Sequence, residues 1–213
     1  MMTSELRQLL IDTAIAMNES GINQGKSGNL SVRHSDGMLI TPSGMAYADL
    51  HPDDIVWVDE HGVHEGARLP SSEWRIHGDI YRARPDARAI LHAHPVDCAA
   101  LACLHREIPA FHYMVAVAGG RNIRCAPYAT FGSQALSDFV LEALQDRNAC
   151  LMANHGVVCL AGDLGGALAL AIEVEQLART YRHCLGVGEP VILDDDEMDR
   201  VLLKFQTYGV QEG

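Results

Sequence analysis

Two histidines stand one residue apart in an apolar stretch of the chain, residues 89–95, which read AILHAHP. Side chains alternate between the two faces of a β-strand, so His92 and His94 are predicted to point to the same side of a sheet. Pro95 cannot donate a backbone hydrogen bond and is expected to end the strand. The spacing therefore brings two imidazoles together at a strand terminus, either as hydrogen-bonded structural histidines or as ligands of a metal ion.

Two further side chains extend this pattern. His155 lies in the turn NHG between two apolar runs, and Glu73 lies in the predicted first turn of a helix, where the positive helix end favours a carboxylate. Three imidazoles with an open or carboxylate-filled fourth position are typical of a catalytic zinc site. A simple capping contact is the alternative for Glu73. Surface or hydrogen-bonded roles are predicted for the other histidines: His34, His51, His61, His64, His77, His105, His112 and His183.

Three short polar segments at predicted turns or helix starts have the composition of a phosphate site: Gly28-Asn29, Ser43-Gly44 and Ser71-Ser72. Backbone N–H groups of such turns and of a helix N-terminus can surround an oxyanion, and glycine lets the backbone approach closely. Lys26 would add a positive charge if it faces inward. Each segment taken alone is explained at least as well by ordinary turn or capping chemistry.

Helical and strand-like patterns alternate along the whole chain, without an internal repeat or a linker. Their apolar spacing predicts helices over 4–19, 73–84, 96–104, 133–146, 164–185 and 197–205, and strands over 30–33, 38–41, 55–58, 89–94, 150–153 and 157–160. This order predicts an α/β fold: one domain over residues 1–213, with a central mixed, largely antiparallel sheet sandwiched between helical layers.

The composition limits the partners that the chain could bind. Of its 213 residues 48% are hydrophobic, and its formal net charge is −12, which argues against nucleic acid because phosphate backbones require a basic surface. Neither a membrane-spanning run nor a signal peptide is recognisable, so no membrane partner is expected. Six cysteines without a C-x-x-C pair predict buried free thiols in a reducing, cytoplasmic compartment.

Six segments of the chain resemble the class II aldolase/adducin family: NQGKSGNLSVR, GMLITPSG, LPSSEWRIH, AILHAHP, CAPYATFG and NHGVV. They occur in the order found in that family, and the likeness extends from the first helix to KFQTYG near the C-terminus. It is greatest to the bacterial L-fuculose-1-phosphate aldolases of the family. Lys26 is a departure, because a small hydroxyl residue is expected at its position in those enzymes, and this leaves the phosphate contact there open.

The resemblance implies a zinc enzyme, with Mn²⁺ or Co²⁺ as alternative metals, that reversibly cleaves a ketose 1-phosphate. The products would be dihydroxyacetone phosphate and an aldehyde, formed through an enediolate. By position, His92, His94 and His155 would bind the metal together with Glu73, and Glu73 would also act as the base.

Further roles follow from the same resemblance. The phosphate would bind to the loops that contain Lys26, Gly28, Asn29, Ser43, Gly44, Ser71 and Ser72. Tyr113 would reach across a subunit boundary and carry a proton on the aldehyde side. Phe131 and Tyr208 would lie near the aldehyde. Such enzymes form cyclic homotetramers with their sites at subunit interfaces.

The resemblance leaves several activities open. L-fuculose 1-phosphate, 5-deoxyribulose 1-phosphate and 5-methylthioribulose 1-phosphate differ mainly in the aldehyde half of the molecule. Related members are pentulose-phosphate 4-epimerases, which generally carry aspartate where this chain has Glu73, and methylthioribulose-1-phosphate dehydratases. Adducin-like members keep the fold as an interaction module without catalysis, and the three intact histidines argue against that alternative.

Overall fold

Eight β-strands and six α-helices interleave along the chain in the computed structural model, which describes residues 3–207. The strands are β1 Asn29–His34, β2 Gly37–Ile40, β3 Val56–Asp59, β4 His64–Glu65, β5 Ala89–Ala93, β6 Cys125–Ala126, β7 Ala149–Met152 and β8 Gly156–Ala161. The helices are α1 Thr3–Glu19, α2 Trp74–Ala83, α3 Val96–Cys103, α4 Gln134–Ala143, α5 Leu164–Val187 and α6 Asp195–Phe205. Short 3-10 helices cover Tyr47–Asp49, Pro52–Asp54 and Tyr113–Ala118.

All eight strands belong to one sheet, in the order β4-β3-β2-β1-β5-β8-β7-β6. Every neighbouring pair is antiparallel except β6 and β7, which are parallel. The strand β5 lies near the middle, where His92 pairs with Asn29 of β1 on one side and with Val158 of β8 on the other. The predicted mixed, largely antiparallel sheet is confirmed.

Helices cover both faces of this sheet. Leu30 and Leu91 belong to the core on one face, which includes residues of α1, α3, α5 and α6. Ile90, which precedes Leu91 in β5, and Ile40 of β2 belong to a second core with residues of α2 and α4. Each fully buried leucine or isoleucine contributes about 1.5–3 kcal/mol. Because His92 alternates with Leu91, it faces the side covered by α2 and α4, and the predicted sandwich of helical layers is confirmed.

Polar side chains at three helix starts explain where those helices begin. The side chains of Ser133, Asp163 and Asp194 each accept a hydrogen bond from a backbone N–H in the first turn of α4, α5 and α6. Such caps satisfy N–H groups that have no partner within the helix. The acidic run that begins at Asp194 is thus the solvated N-terminus of α6, as predicted.

Two sequence expectations need correction. All six cysteines are free, but they are not all buried: Cys103 is exposed, and Cys125 and Cys184 are half-buried. The stretch 105–132, for which no element was predicted, contains the 3-10 helix Tyr113–Ala118 and the strand β6, which are too short for a periodic signal. Within residues 3–207, none of the helices is both long enough and apolar enough to cross a bilayer.

Candidate metal centre and substrate loops

Three histidine rings meet at the end of β5. Nitrogen atoms of His92, His94 and His155 all lie within 4.8 Å of one another, and the ring centroids are 4.7 to 4.9 Å apart. The side chain of His92 is buried, whereas His94 and His155 are half-buried. The predicted convergence of these imidazoles is therefore present, and it opens toward solvent on one side.

The turn between β7 and β8 brings His155 to His92 of β5 and to His94, which directly follows that strand. Asn154 adopts φ +54°, a conformation that asparagine tolerates better than most residues. Gly156 follows, and a Cβ there would lie 2.3 Å from the carbonyl oxygen of Ala93 and 2.7 Å from the ring of His94. The sequence NHG therefore allows β8 to approach β5 closely enough for the three rings to meet.

Glu73 lies against two of these histidines. Its Oε2 is 3.1 Å from His92 Nε2, and its Oε1 is 3.3 Å from His155 Nε2. Glu73 is the N-cap residue that precedes α2, with a non-helical backbone and no capping hydrogen bond from its side chain. The expectation that it lies in the first helical turn is off by one residue, and the capping alternative is wrong because the carboxylate is directed toward the imidazoles.

The charges of this group depend on burial and on each other. Burial and the neighbouring His92 lower the pKa values of His94 and His155 to about 4, so both rings are neutral near pH 7. Burial alone would raise the pKa of Glu73, but His92, His155 and an N–H of Asn29 outweigh it and hold that pKa well below its usual range. The centre thus presents an ionised carboxylate among imidazoles.

The hydrogen bonds show that this group suits a cation. His92 Nδ1 lies 2.9 Å from the carbonyl oxygen of Val157, and because a carbonyl only accepts, that nitrogen carries the proton. Glu73 outweighs the effect of burial and raises the pKa of His92. In the neutral ring that would bind a cation, the lone pair of Nε2 faces His94 Nε2 at 2.9 Å and Glu73 Oε2 at 3.1 Å. Glu73 Oε1 is buried without a hydrogen-bond partner. A divalent cation would satisfy these converging acceptors, and nitrogen ligands with one carboxylate are typical of zinc.

The loop before β1 lies directly beside this centre. A Cβ on Gly28 would lie 2.7 Å from the carbonyl oxygen of His92, so only glycine allows the loop to approach β5 so closely. The hydroxyl of Tyr47 donates to the carbonyl oxygen of Gly28 at 2.5 Å. Lys26, in the same loop, is exposed. The residues after it therefore approach the histidines, whereas the lysine itself is in solvent.

The other two predicted phosphate loops are joined to each other. A β-bridge links Pro42 with Pro70, and the N–H of Ser71 donates to the carbonyl oxygen of Thr41 at 3.1 Å. The N–H of Ser43 donates to Leu69 at 3.0 Å. Two of the backbone N–H groups expected for phosphate are thus already used within the protein. Exposed groups that could still bind an anion belong to Ser43, Gly44 and Ser72.

The residues expected near the aldehyde are less closely connected to the centre. Tyr113 begins a 3-10 helix, is 52% exposed and stacks on His112 at 4.9 Å. Phe131 is 65% exposed, and the adjacent Gly132, at φ +72°, packs against the carbonyl oxygen of Ser72. This contact brings the Phe131 turn to a phosphate loop. Tyr208 lies outside the described residues.

Sequence reasoning did not predict the contacts of Glu73 with Asn29 and, through Asn29, with His77. The buried Asn29 donates from Nδ2 to Glu73 Oε2 at 3.0 Å, so its side chain contacts the carboxylate rather than facing only the phosphate loop. His77 is fully buried, and its Nε2 lies 2.6 Å from Asn29 Oδ1. Residues four apart on a helix share a face. The interval from Glu73 to His77 was the signal that could have suggested that the two side chains share a neighbour.

Glu175 is a second residue that the sequence did not single out. Its carboxylate, on α5, accepts hydrogen bonds from the backbone N–H groups of Asp97 and Cys98 at 2.9 Å. A negative charge at a helix N-terminus is favourable, and this one fixes the start of α3 just after His94 and Pro95. The helix α5 thereby stabilises the segment that follows β5, in which His94 lies.

Burial of His77 predicts a loss of stability in acid. Burial lowers the pKa of this ring from 6.5 to about 3, so below pH 6.5 the unfolded chain binds a proton that the folded chain excludes. The free energy of unfolding should fall by about 1.4 kcal/mol for each pH unit through that range. The free energy of unfolding in urea should drop between pH 7 and pH 5 in both proteins, and the drop should be about 2 kcal/mol smaller for His77→Gln than for the wild type. Equal drops in both proteins would contradict the assignment.

Comparison with known proteins agrees with this arrangement. A family model described as "Class II Aldolase and Adducin N-terminal domain" matches residues 8–182. The 5-methylthioribulose-1-phosphate/5-deoxyribulose-1-phosphate aldolase of Rhodospirillum rubrum is 54% identical over 204 residues, which cover 96% of this chain and 92% of that protein. The L-fuculose phosphate aldolase of Escherichia coli K12 is 50% identical over 209 residues, with 98% and 97% covered.

A solved structure gives the same result for the fold. The structure of an L-fuculose 1-phosphate aldolase matches this chain with a TM-score of 0.93 and 42% identity, covering 97% of this chain and 98% of that one. The family model and these relatives extend over most of the chain, and the relatives are aldolases by name. The chain therefore belongs to the class II aldolase/adducin family, and it is an aldolase.

Proposed function

We propose that this aldolase is a zinc enzyme that reversibly cleaves a ketose 1-phosphate into dihydroxyacetone phosphate and an aldehyde. The observation that carries the proposal is the cluster of His92, His94 and His155. Two of these rings contact Glu73, whose buried Oε1 has no hydrogen-bond partner. The two relatives compared above act, by name, on L-fuculose phosphate and on 5-methylthioribulose and 5-deoxyribulose 1-phosphates. These sugars are the candidate substrates.

The chemistry requires a way to hold negative charge on carbon. When a metal is bound, it would act as a Lewis acid on neighbouring substrate oxygens and stabilise the charge of the enediolate. The neutral rings of His94 and His155 leave the full charge of such an ion available. His92 is oriented by its hydrogen bond to Val157, a type of contact that commonly fixes a metal-binding imidazole.

Glu73 is the proposed base. In the condensation direction it would remove a proton from the hydroxymethylene carbon of dihydroxyacetone phosphate, and in cleavage it would return that proton to the same carbon. The electron pair left on carbon forms the new carbon–carbon bond with the aldehyde. A carboxylate held within 3.3 Å of two imidazoles, with one oxygen not hydrogen-bonded, is suited to this proton transfer.

Tyr113 is the proposed proton carrier on the aldehyde side. In condensation its phenol would protonate the oxygen of the aldehyde as the new bond forms. Its side chain is 52% exposed, as expected for a residue that serves the site of a neighbouring subunit. We therefore include a homotetramer with sites at subunit interfaces in the proposal, and the phosphate is assigned to the loops that contain Gly28, Gly44 and Ser72.

A panel of substrates tests the proposed function directly. Zinc-loaded protein would be incubated with L-fuculose 1-phosphate, 5-deoxyribulose 1-phosphate and 5-methylthioribulose 1-phosphate, and dihydroxyacetone phosphate would be detected by a coupled reduction. We expect dihydroxyacetone phosphate to be released from at least one of these sugars, together with one equivalent of aldehyde. Conversion to an epimer or loss of water without any dihydroxyacetone phosphate would contradict the proposal and favour the related activities.

The substitution Tyr113→Phe separates the two proton transfers. We expect cleavage to fall by about 10²-fold, within the range for loss of a general acid or base, because the substrate hydroxyl that becomes the aldehyde oxygen loses the group that accepts its proton. Exchange of the dihydroxyacetone phosphate proton with solvent, which needs only the base, should stay near the wild-type rate. Equal losses in the two assays would contradict the role given to Tyr113. Thermal melting serves as the control for folding.

A further inference from the structure

A buried chain of hydrogen bonds begins at Glu73 and runs through Asn29, His77 and Ser31 to Tyr81. His77 is fully buried, with Nε2 2.6 Å from Asn29 Oδ1 and Nδ1 2.6 Å from the hydroxyl of Ser31. The hydroxyl of Ser31 lies 2.8 Å from that of Tyr81. The chain therefore connects the core between β1 and α2 with the carboxylate of Glu73.

When the ring of His77 is neutral, one set of proton positions satisfies this chain. Asn29 donates from Nδ2 to Glu73 at 3.0 Å, so its Oδ1 faces His77 and must accept. His77 therefore carries its proton on Nε2, and its Nδ1 accepts from the hydroxyl of Ser31. The oxygen of Ser31 in turn accepts from Tyr81. Every donor in this chain of hydrogen bonds points toward the next acceptor, and the last donor, Nδ2 of Asn29, points at the carboxylate.

We propose that His77 is a positioning residue for Glu73, which it controls by fixing the orientation of the Asn29 amide. The inference rests on the proposed function, in which Glu73 is the base. With Nε2–H of His77 held on Oδ1, Asn29 can present only its N–H group to Glu73. Without that donor the amide can turn over, and its oxygen would then face the negative carboxylate and displace it.

The geometry gives the two oxygens of Glu73 different roles. Asn29 holds Oε2, whereas Oε1 is buried without a hydrogen bond and faces His155 at 3.3 Å. A carboxylate that is anchored through one oxygen keeps the other in a fixed place for ligation and proton transfer. His77 does not touch the substrate in this arrangement, since Asn29 lies between it and Glu73, and its effect must pass through the amide.

Two substitutions at this position separate hydrogen bonding from packing. His77→Gln keeps an N–H donor for Asn29 and an acceptor for Ser31, whereas His77→Leu fills the space without either. At saturating zinc we expect His77→Leu to lower kcat by about 10- to 100-fold with little change in KM, and to weaken zinc binding by about tenfold, as is usual for residues behind a ligand. His77→Gln should retain most of both.

The buried neighbour Ile76 provides a matched control. It is 1% exposed on the same helix, so Ile76→Val should lower stability by about 1 kcal/mol and leave kcat and zinc affinity unchanged. If folded His77→Leu protein has the kcat of the wild type, or if His77→Gln is damaged as much as His77→Leu, the positioning role is overturned.

A double substitution tests whether the effect passes through Asn29. In an Asn29→Ala background the amide is already absent, so adding His77→Leu should change kcat by less than about twofold. If the second substitution instead lowers kcat by the same factor as it does in the wild type, His77 acts by another route and the inference fails.

A spectroscopic measurement separates this inference from the proposed function. Nitrogen-15 NMR of histidine side chains should show His77 as a neutral ring with its proton on Nε2, and this state should persist in Ser31→Ala protein. A proton on Nδ1 overturns the inference whatever the reaction is. If the wild type cleaves no ketose phosphate, the proposed function fails. The tautomer of His77 and the zinc affinity of His77→Leu protein still decide whether His77 orients the carboxylate.

Discussion

Substitution of His92 by alanine should abolish bound zinc and turnover together. His92 contacts His94, Glu73 and the backbone of Val157, so its loss removes one ligand and the group that best stabilises the charge of the carboxylate. Lewis-acid stabilisation of the transition state is worth several kcal/mol, and each 1.36 kcal/mol changes a rate tenfold. We therefore expect kcat to fall by at least about 10³-fold, measured with zinc content by elemental analysis.

His155→Ala provides the second variant for this prediction, because His155 lies in a turn and is only half-buried. It should lose zinc and turnover in the same way even if His92→Ala folds poorly. His61 is exposed in the turn after β3, and His61→Ala should keep both properties. Full turnover in a folded His155→Ala protein without metal would contradict the role of the cluster.

Thermal melting gives the same comparison without an activity assay. A ligand that binds only the folded state adds about 2.7 kcal/mol of stability at one hundred times its dissociation constant. Zinc should therefore raise the melting temperature of chelator-treated wild type, and the same addition should have no effect on His155→Ala. This measurement applies whichever sugar is the substrate.

Glu73→Gln should have the second largest effect, and it should separate metal binding from proton transfer. The amide has the shape of the carboxylate and can still accept from Asn29, but it cannot take up a proton. Loss of a general base costs about 10² to 10⁴ in rate. At saturating zinc we expect the protein to bind metal, to lose turnover by that factor, and to lose exchange of the dihydroxyacetone phosphate proton with solvent.

The exchange assay distinguishes this prediction from a simple loss of charge at the metal. If Glu73 only bound zinc, excess zinc would restore both turnover and exchange in Glu73→Gln. Glu60 is an exposed carboxylate next to His61, and Glu60→Gln serves as the control for removal of one negative charge. A fully active Glu73→Gln protein would exclude Glu73 as the base.

The elements of the fold were largely predictable because they depend on local periodicity. Alternation along the predicted strand 89–94 placed His92 and His94 on one face, and their ring centroids lie 4.7 Å apart, although β5 ends at Ala93 and His94 follows it. Ser133 was predicted to open α4, and its side chain caps that helix. The short strand β6, of two residues, gave no such signal, because two residues cannot show an alternation.

Contacts between distant segments required the tertiary structure. Glu73 reaches His92 and His155 because α2, which begins directly after Glu73, packs in the same core as β5 and β8. The spacing of these residues in the sequence does not reveal that contact. The contact between Asn29 and Glu73 joins residues 44 positions apart, and it links a predicted phosphate residue to the candidate base. Sequence patterns could identify the chemical groups, but only packing could pair them.

By itself, the sequence of this aldolase determined which imidazoles share a strand face, where the turns and helix starts lie, and to which family the chain belongs. Only the tertiary structure decided which oxygen of Glu73 is held by Asn29 and which is left without a hydrogen bond, and that His77 lies behind that pair. The physical reason is that side-chain direction along a strand or helix is a local property. The satisfaction of a buried polar group depends instead on every segment that packs around it.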